Sequence, residues 1–405
     1  QVKLSEPLDF LVVADHSDNM GFFPRLSCGV PEMLADPDGQ RWYDMFQAGG
    51  PTSVAAASES IEAFSQGPFP EALASPPGSE AYRSAWEETI EAADKYNDPG
   101  KFSAFIGYEW TSNTGGNNLH RVVVYRDDAT RAGVTEPYTT LKPAGSDNPR
   151  DLWKWMGAYQ EKTGGQLLAI AHNGNLSNGI MFPVIDSFTG EKLDRAYAET
   201  RMKWEPLYEV TQIKGDGEAH PLLSPDDEFA DYETWDQGNL DLSVAKQDDM
   251  LQYEYARTAL QTGLQLEQQL GVNPYQFGMI GSTDSHTGLA TAEEENFFGK
   301  HSGTEPGPER YKHPMGQTKN GTYESWDMVS SGLAAVWARE NTREALFDAM
   351  MRKETYATTG PRILVRVFAG WDFTDEDARG RLPADVGYRK GVPMGGRLPP
   401  PATGK

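Results

Sequence analysis

The sequence predicts an α/β fold, and three observations carry the prediction. Helix-like and strand-like stretches alternate along most of the chain, several strand-like runs end in an imidazole or a carboxylate, and no linker divides the chain. Alternation of this kind implies parallel pairing through right-handed crossovers, in a sheet or a barrel.

The first strand-like run is LDFLVVADHSDN at 8–19, in which apolar residues end in Asp15 and His16. The spacing of apolar residues predicts an amphipathic helix over 79–96, followed by the strand FSAFIGYEW. A second helix is predicted over 148–160 and leads to the strand QLLAIAHN. A third, long and Gln-rich, is predicted over 248–270, before YQFGMIGSTDSH. GLAAVWARE then reads as a strand, TREALFDAMMRKET as a helix and RILVRVFAG as a strand. Polar insertions at 36–77, 129–147, 215–247 and 292–321 are long enough to be lids or substrate walls. Residues 1–367 are read as the main domain, and 368–405, rich in Arg, Gly and Pro, as a C-terminal extension.

At 405 residues with 38% hydrophobic and 11% aromatic content, the chain can bury a substantial core. No apolar run approaches the roughly 20 residues that span a bilayer. The formal charge of −24, from 60 acidic and 36 basic residues, argues against non-specific nucleic-acid binding and against docking on anionic lipid. Acidity and a single cysteine, Cys28, fit a periplasmic or secreted protein, with a cytoplasmic one as the alternative. A lone cysteine also rules out a thiolate zinc cluster, so a metal here takes nitrogen and oxygen ligands. The start at Gln1 and the Pro/Gly-rich end both read as cut.

Of seven histidines, His16, His172 and His286 close strand-like runs, and His120 follows the strand-ending Glu109 and precedes VVVY. Asp284 stands beside His286 in STDSH. One strand-end histidine is ordinarily a satisfied polar residue, but several on separate strands are not expected by chance. In parallel α/β folds such ends gather on one rim, and imidazole with carboxylate suits zinc, manganese and iron. His301 and His313 lie in an insertion and carry no assignment.

The phrases ADH, GYE, AHN and STDSH at strand ends resemble the PHP (polymerase and histidinol phosphatase) superfamily of metal-dependent phosphoesterases. GYEWTS, GGNNLHRVV, AHNGNLSNG, YEVTQIKGDGEAHP and ETYATTG resemble, more closely, a PHP-like bacterial family known only as a domain of unknown function. The resemblance implies a distorted (β/α)7 barrel with long insertions and two or three divalent metals. It implies that Glu109 bridges two ions, that His120 and His172 complete one shell, that Asp284 binds another ion, and that His16 and His286 bind a third. Asp15 would orient an imidazole. The chain departs from the pattern in lacking His-x-His, which is expected upstream of Leu8 unless the site is degenerate.

The chemistry implied is hydrolysis of a small-molecule phosphate mono- or diester by a metal-bound hydroxide. Phosphoryl oxygens also call for cations, with Lys214 as the first candidate and Arg121 and Arg362 beside it. A metal-dependent amidohydrolase or lactonase is the alternative enzyme, and a non-catalytic binding module the alternative outside enzymology. Oligomeric state is not legible.

Overall fold

The structure is a computed structural model, and it describes residues 4–67, 69–289, 299–301, 309–312, 314–318, 321–328 and 332–401. Most of the 292–321 insertion, His313 included, lies outside them. The elements run β1 (Phe10–Val12), α1 (Phe22–Ser27), α2 (Pro31–Leu34), α3 (Pro37–Ala48), α4 (Gly50–Gln66), α5 (Glu80–Tyr96), β2 (Ser103–Phe105), β3 (Gly107–Trp110) and β4 (Arg121–Tyr125). Next come α6 (Ala129–Ala132), α7 (Pro149–Thr163), β5 (Leu167–Ala171), α8 (Arg195–Trp204), β6 (Leu207–Gln212), β7 (Gly215–Asp216), α9 (Asp248–Leu251), α10 (Ala256–Leu270) and β8 (Gly278–Gly281). Then follow β9 (Pro314–Thr318), β10 (Gly321–Glu324), β11 (Leu333–Val336), α11 (Arg343–Met351), β12 (Thr355–Thr358), β13 (Phe368–Ala369), α12 (Asp375–Arg379), α13 (Pro383–Lys390) and β14 (Val392–Pro393).

The expected (β/α)7 barrel does not form. The main sheet has six strands in the order β3-β4-β5-β6-β7 with β8 also on β6, and it does not close. Its pairing is mixed: β3–β4 and β4–β5 are antiparallel, whereas β5–β6 and β6–β8 are parallel. The cause is local. A helical crossover needs roughly a dozen residues or more, and the stretch from Thr111 to His120 is too short, so β4 returns as a hairpin. The pair β1–β2 and the hairpin β11–β12 are separate two-stranded sheets. A parallel bridge from His16 to Glu109 ties the end of β1 to β3, and Gly332 N donates to Ser282 O at 3.0 Å beside β8.

Alternation along the strands sorts side chains to two faces. Tyr108, Trp110, Val123, Tyr125, Leu167, Ala169, Ala171, Tyr208 and Val210 pack with α5, α7, α8 and α10. On α5 the contact face is Tyr82, Trp86 and Ile90, spaced by four residues, behind a Ser79 cap that accepts from Tyr82 N. Each such buried side chain contributes roughly 1.5–3 kcal/mol. The other face carries Phe105, Val124, Leu168, Ile170, Leu207 and Ile280, with Leu346, Phe347 and Met350 of α11. By the same alternation Glu109, Val122, Glu209 and His172 belong to that second face.

Three further expectations are corrected. The 36–77 insertion holds two helices, α3 and α4, started by Asp36 accepting from Asp38 N and Gly39 N and closed on Phe22, Trp42, Phe64 and Phe69. The long helix over 248–270 breaks between α9 and α10, because backbone there serves other partners. Tyr253 O accepts from Phe182 N at 2.9 Å, and Ala256 N and Arg257 N donate to Gly217 O and Glu218 O at 2.8 and 3.0 Å. RILVRVFAG is a strand only at β13, paired with β14, and Leu364 is 83% exposed with no strand beside it. Among the described residues no helix is long and apolar enough to cross a membrane.

Candidate metal centre

The C-terminal ends of β3, β5, β6 and β8 and the start of β4 meet at one edge of the sheet, because β4 alone runs the other way. His120, just before β4, therefore reaches the same edge as Glu109 and His172. Glu109 Oε1 lies 2.7 Å from His120 Nδ1 and 3.1 Å from His172 Nε2, and Oε2 lies 3.6 Å from His16 Nδ1. One ligand atom from each of Glu109, His120 and His172 falls within 4.8 Å of the others, and all three residues are buried.

Backbone fixes the arrangement. Glu109 N donates to Asp15 O and Ser17 N to Glu109 O, both at 2.8 Å, so the turn at 15–17 is laced along β3. His16 Nδ1 then contacts Thr111 Oγ1 at 2.6 Å. The Asp18 carboxylate takes Thr140 N at 2.8 Å and the hydroxyls of Thr139 and Thr140, which pins the 139–140 wall to the same turn. Burial, against these hydrogen bonds, pushes the Asp18 carboxyl upward.

Burial alone would raise the Glu109 carboxyl; the imidazoles of His16 and His172 and the hydrogen bond from His120 overcome it and hold it well below the ordinary value. Burial drives His120 the other way, down to about 3, so its neutral ring is favoured at neutral pH. His172 has two buried ring nitrogens without a directed hydrogen bond. Buried polar atoms in folded proteins are nearly always satisfied, so an imidazole orphaned beside a charged carboxylate fits a cation. One oxygen and two nitrogens suit zinc, manganese or iron.

Asp284 is not in that cluster. It sits in a left-handed conformation at φ 49° after β8, and its Oδ2 contacts the Lys214 ammonium. Lys300 Nζ lies 2.8 Å from the same oxygen and 2.6 Å from Asp284 O, and Gln212 Nε2 donates to it at 2.8 Å. Burial and then the neighbouring Lys300 hold Lys214 well below the ordinary lysine value, and burial brings Lys300 to about 7. His286 Nε2 faces His16 Nε2 at 3.2 Å, and a parallel bridge sets His301 beside His286 with ring centroids 5.1 Å apart. Burial, with Lys300 and His301, lowers the His286 ring well below its usual range.

The remaining sequence candidates divide. Asp15 faces the cavity, and enclosure pushes its carboxyl up. Arg121 is not at the site: alternation turns it to the opposite face of β4, where Nε meets Glu205 Oε1 at 3.0 Å in a buried network with Arg201 and Trp153. Arg362 is spent on the carbonyls of Pro7 and Glu6 at 2.7 and 2.8 Å.

Four residues went unread in the sequence. Glu209 is buried on β6, accepts from Ser282 Oγ at 2.6 Å, leaves Oε1 unpartnered, and is raised by burial. A carboxylate inside the apolar run LYEV is a signal that could have found it. Asn113 meets His120 Nε2 at 2.7 Å from the β3–β4 hairpin. Lys300 and His301 arrive on an insertion without periodicity. A cavity of about 3210 Å³ opens over all these groups and runs along Phe22, Ala57 and Ile61 on one side and Ile170, Leu207 and Ile280 on the other.

A family model described as a protein of unknown function, DUF3604, matches residues 1–404. No curated protein and no solved structure matches.

Proposed function

We propose that this chain, which belongs to the DUF3604 family of unknown function, is a metal-dependent hydrolase of phosphoric esters. The observation that carries the reading is the convergence of Glu109, His120 and His172 around one small volume at the cavity floor. Each comes from a different strand or strand start, and none has a fixed cation to satisfy it. A divalent ion held there supplies a nucleophile from water at neutral pH and a Lewis acid for a phosphoryl oxygen.

The chain's own residues complete the chemistry. Glu109 gives an ionised carboxylate and His120 a neutral ring, so neither has to lose a proton to bind a cation at neutral pH. His16 and His286 share one proton between facing Nε2 atoms, where it can pass to a departing alkoxide. They are also the candidates for a second ion, which Asp284 would join only on releasing its lysines. Lys214, buried at the same rim, offers a cation to a phosphoryl oxygen. A buried ammonium beside the cluster favours an anionic phosphoester over a neutral amide or lactone, which would leave that charge unanswered. A small-molecule substrate and a periplasmic or secreted location belong to the same proposal.

The test loads the protein with manganese or zinc, counts bound metal, and compares p-nitrophenyl phosphate, bis-p-nitrophenyl phosphate, an acyl amide and a lactone. Metal-dependent release of p-nitrophenol from a phosphate ester is expected, with H172A lacking both bound metal and turnover. Turnover of only the amide or the lactone overturns the phosphoesterase, and less than one metal per chain overturns the enzyme.

A further inference from the structure

We infer that Lys214 and Lys300 act together as a two-ammonium clamp for a doubly charged terminal phosphate, so that the substrate is a monoester rather than a diester. The inference rests on the metal-dependent reading above and adds Lys300, the substrate's charge and its preferred ester class.

Lys300 is not a surface lysine folded inward. Its backbone O accepts from His286 N at 2.7 Å, and the preceding Gly299 O accepts from Ser285 Oγ at 2.9 Å. The 299–301 segment is thus held against the turn that carries Asp284 and His286. Lys214 comes from the opposite side, just past β6, where its N donates to Gln212 Oε1 at 2.7 Å. Both lysines are buried, at 7% and 4% exposure, and both ammonium groups converge on the single oxygen Asp284 Oδ2.

Two buried cations on one carboxylate oxygen are short of negative charge. Asp284 Oδ2 also receives the Gln212 amide, so its acceptor capacity is filled. The next carboxylate, Glu109, is engaged by His120 and neighbours His172 and His16, and it answers to any ion in that pocket. Glu209 hydrogen-bonds Ser282 and touches neither lysine. With a divalent ion bound, two ammonium groups and that ion face Asp284 and Glu109, leaving a surplus of two positive charges. Uncompensated buried charge is costly. A monoester phosphate carries close to two negative charges near neutral pH, whereas a diester carries one, so the monoester restores neutrality. The third hydrogen of the Lys300 ammonium, beyond those directed at Asp284 Oδ2 and O, is free to meet it.

The experiment uses the metal-loaded full chain and its variants K300Q, K300R and K214Q, with metal content measured on each. Calorimetry measures the binding of inorganic phosphate, and steady-state kinetics compares the p-nitrophenyl monoester with the bis ester. Wild type is expected to favour the monoester. K300Q should weaken phosphate and raise KM for the monoester by roughly ten- to hundred-fold, with far less effect on the diester, while K300R largely restores both. Unchanged phosphate affinity in metal-loaded K300Q, or equal loss on both esters, overturns the clamp. If no ester turns over but metal-dependent phosphate binding still falls in K300Q, the clamp stands and the hydrolase fails. If K300Q does not fold, K300R and K214Q decide by the same readouts.

Discussion

Two carboxylates at the same rim are treated in opposite ways. Glu109 is surrounded by imidazoles whose neutral forms are favoured, and no lysine or arginine touches it among the described residues. Asp284 is met by two buried lysines before any ligand arrives. The first is ionised and lacks a permanent counter-ion; the second is already neutralised with a cation to spare. The difference teaches where each kind of ligand belongs: a metal ion at Glu109, an anion beside Asp284.

The sharpest way to break this contrast is at the metal pocket. E109Q and H172A should each lower bound metal to near zero and turnover by roughly a thousand-fold or more; retained metal in E109Q would make the two carboxylates equivalent after all. Next is D284N, which leaves two buried ammonium groups without a carboxylate. Chemical denaturation should show a loss of about 3–5 kcal/mol, partly recovered by added phosphate, whereas E109Q in chelator should lose much less. R121M should destabilise by a similar or smaller amount, since it strands Glu205 behind the sheet, yet the metal-loaded protein that remains folded should turn over at the wild-type rate.

Acid titration of metal-free protein separates the pockets more gently. His120 falls from an ordinary 6.5 to about 3 on folding, so the unfolded chain takes up a proton first as pH falls. Its contribution is intact above pH 6.5 and is lost toward pH 3 at about 1.4 kcal/mol per unit. Glu109, also lowered, adds a loss in the same direction below the usual carboxylate range. H120N should therefore flatten the acid limb of a stability–pH curve. R362A, at an exposed guanidinium bonded only to backbone carbonyls, should change stability by no more than about 0.5 kcal/mol and leave activity alone.

Much of the metal pocket was legible because apolar runs ending in Glu or His are unusual, and Glu109, His120 and His172 do converge. The sheet was less so. Alternating helices and strands suggested parallel pairing throughout, but the short span between Glu109 and His120 forces a hairpin, and that hairpin is what delivers His120. Arg121 misled by adjacency: neighbours on a strand face opposite ways, so a residue beside a ligand is the one least able to join it. Lys300 and His301 had no signal, since their placement depends on two backbone hydrogen bonds between segments joined by an aperiodic insertion.

The interrupted helix between α9 and α10 has a kinetic consequence. By giving its amides and carbonyls at 253–257 to residues 182, 217 and 218, it stitches the acidic excursion that follows β6 into the frame. That excursion supplies Trp235 and Leu240 to the chamber mouth. A visitor therefore meets a doorway already built, with little chain to freeze on entry or to thaw on departure, and passage through it is governed by diffusion and charge.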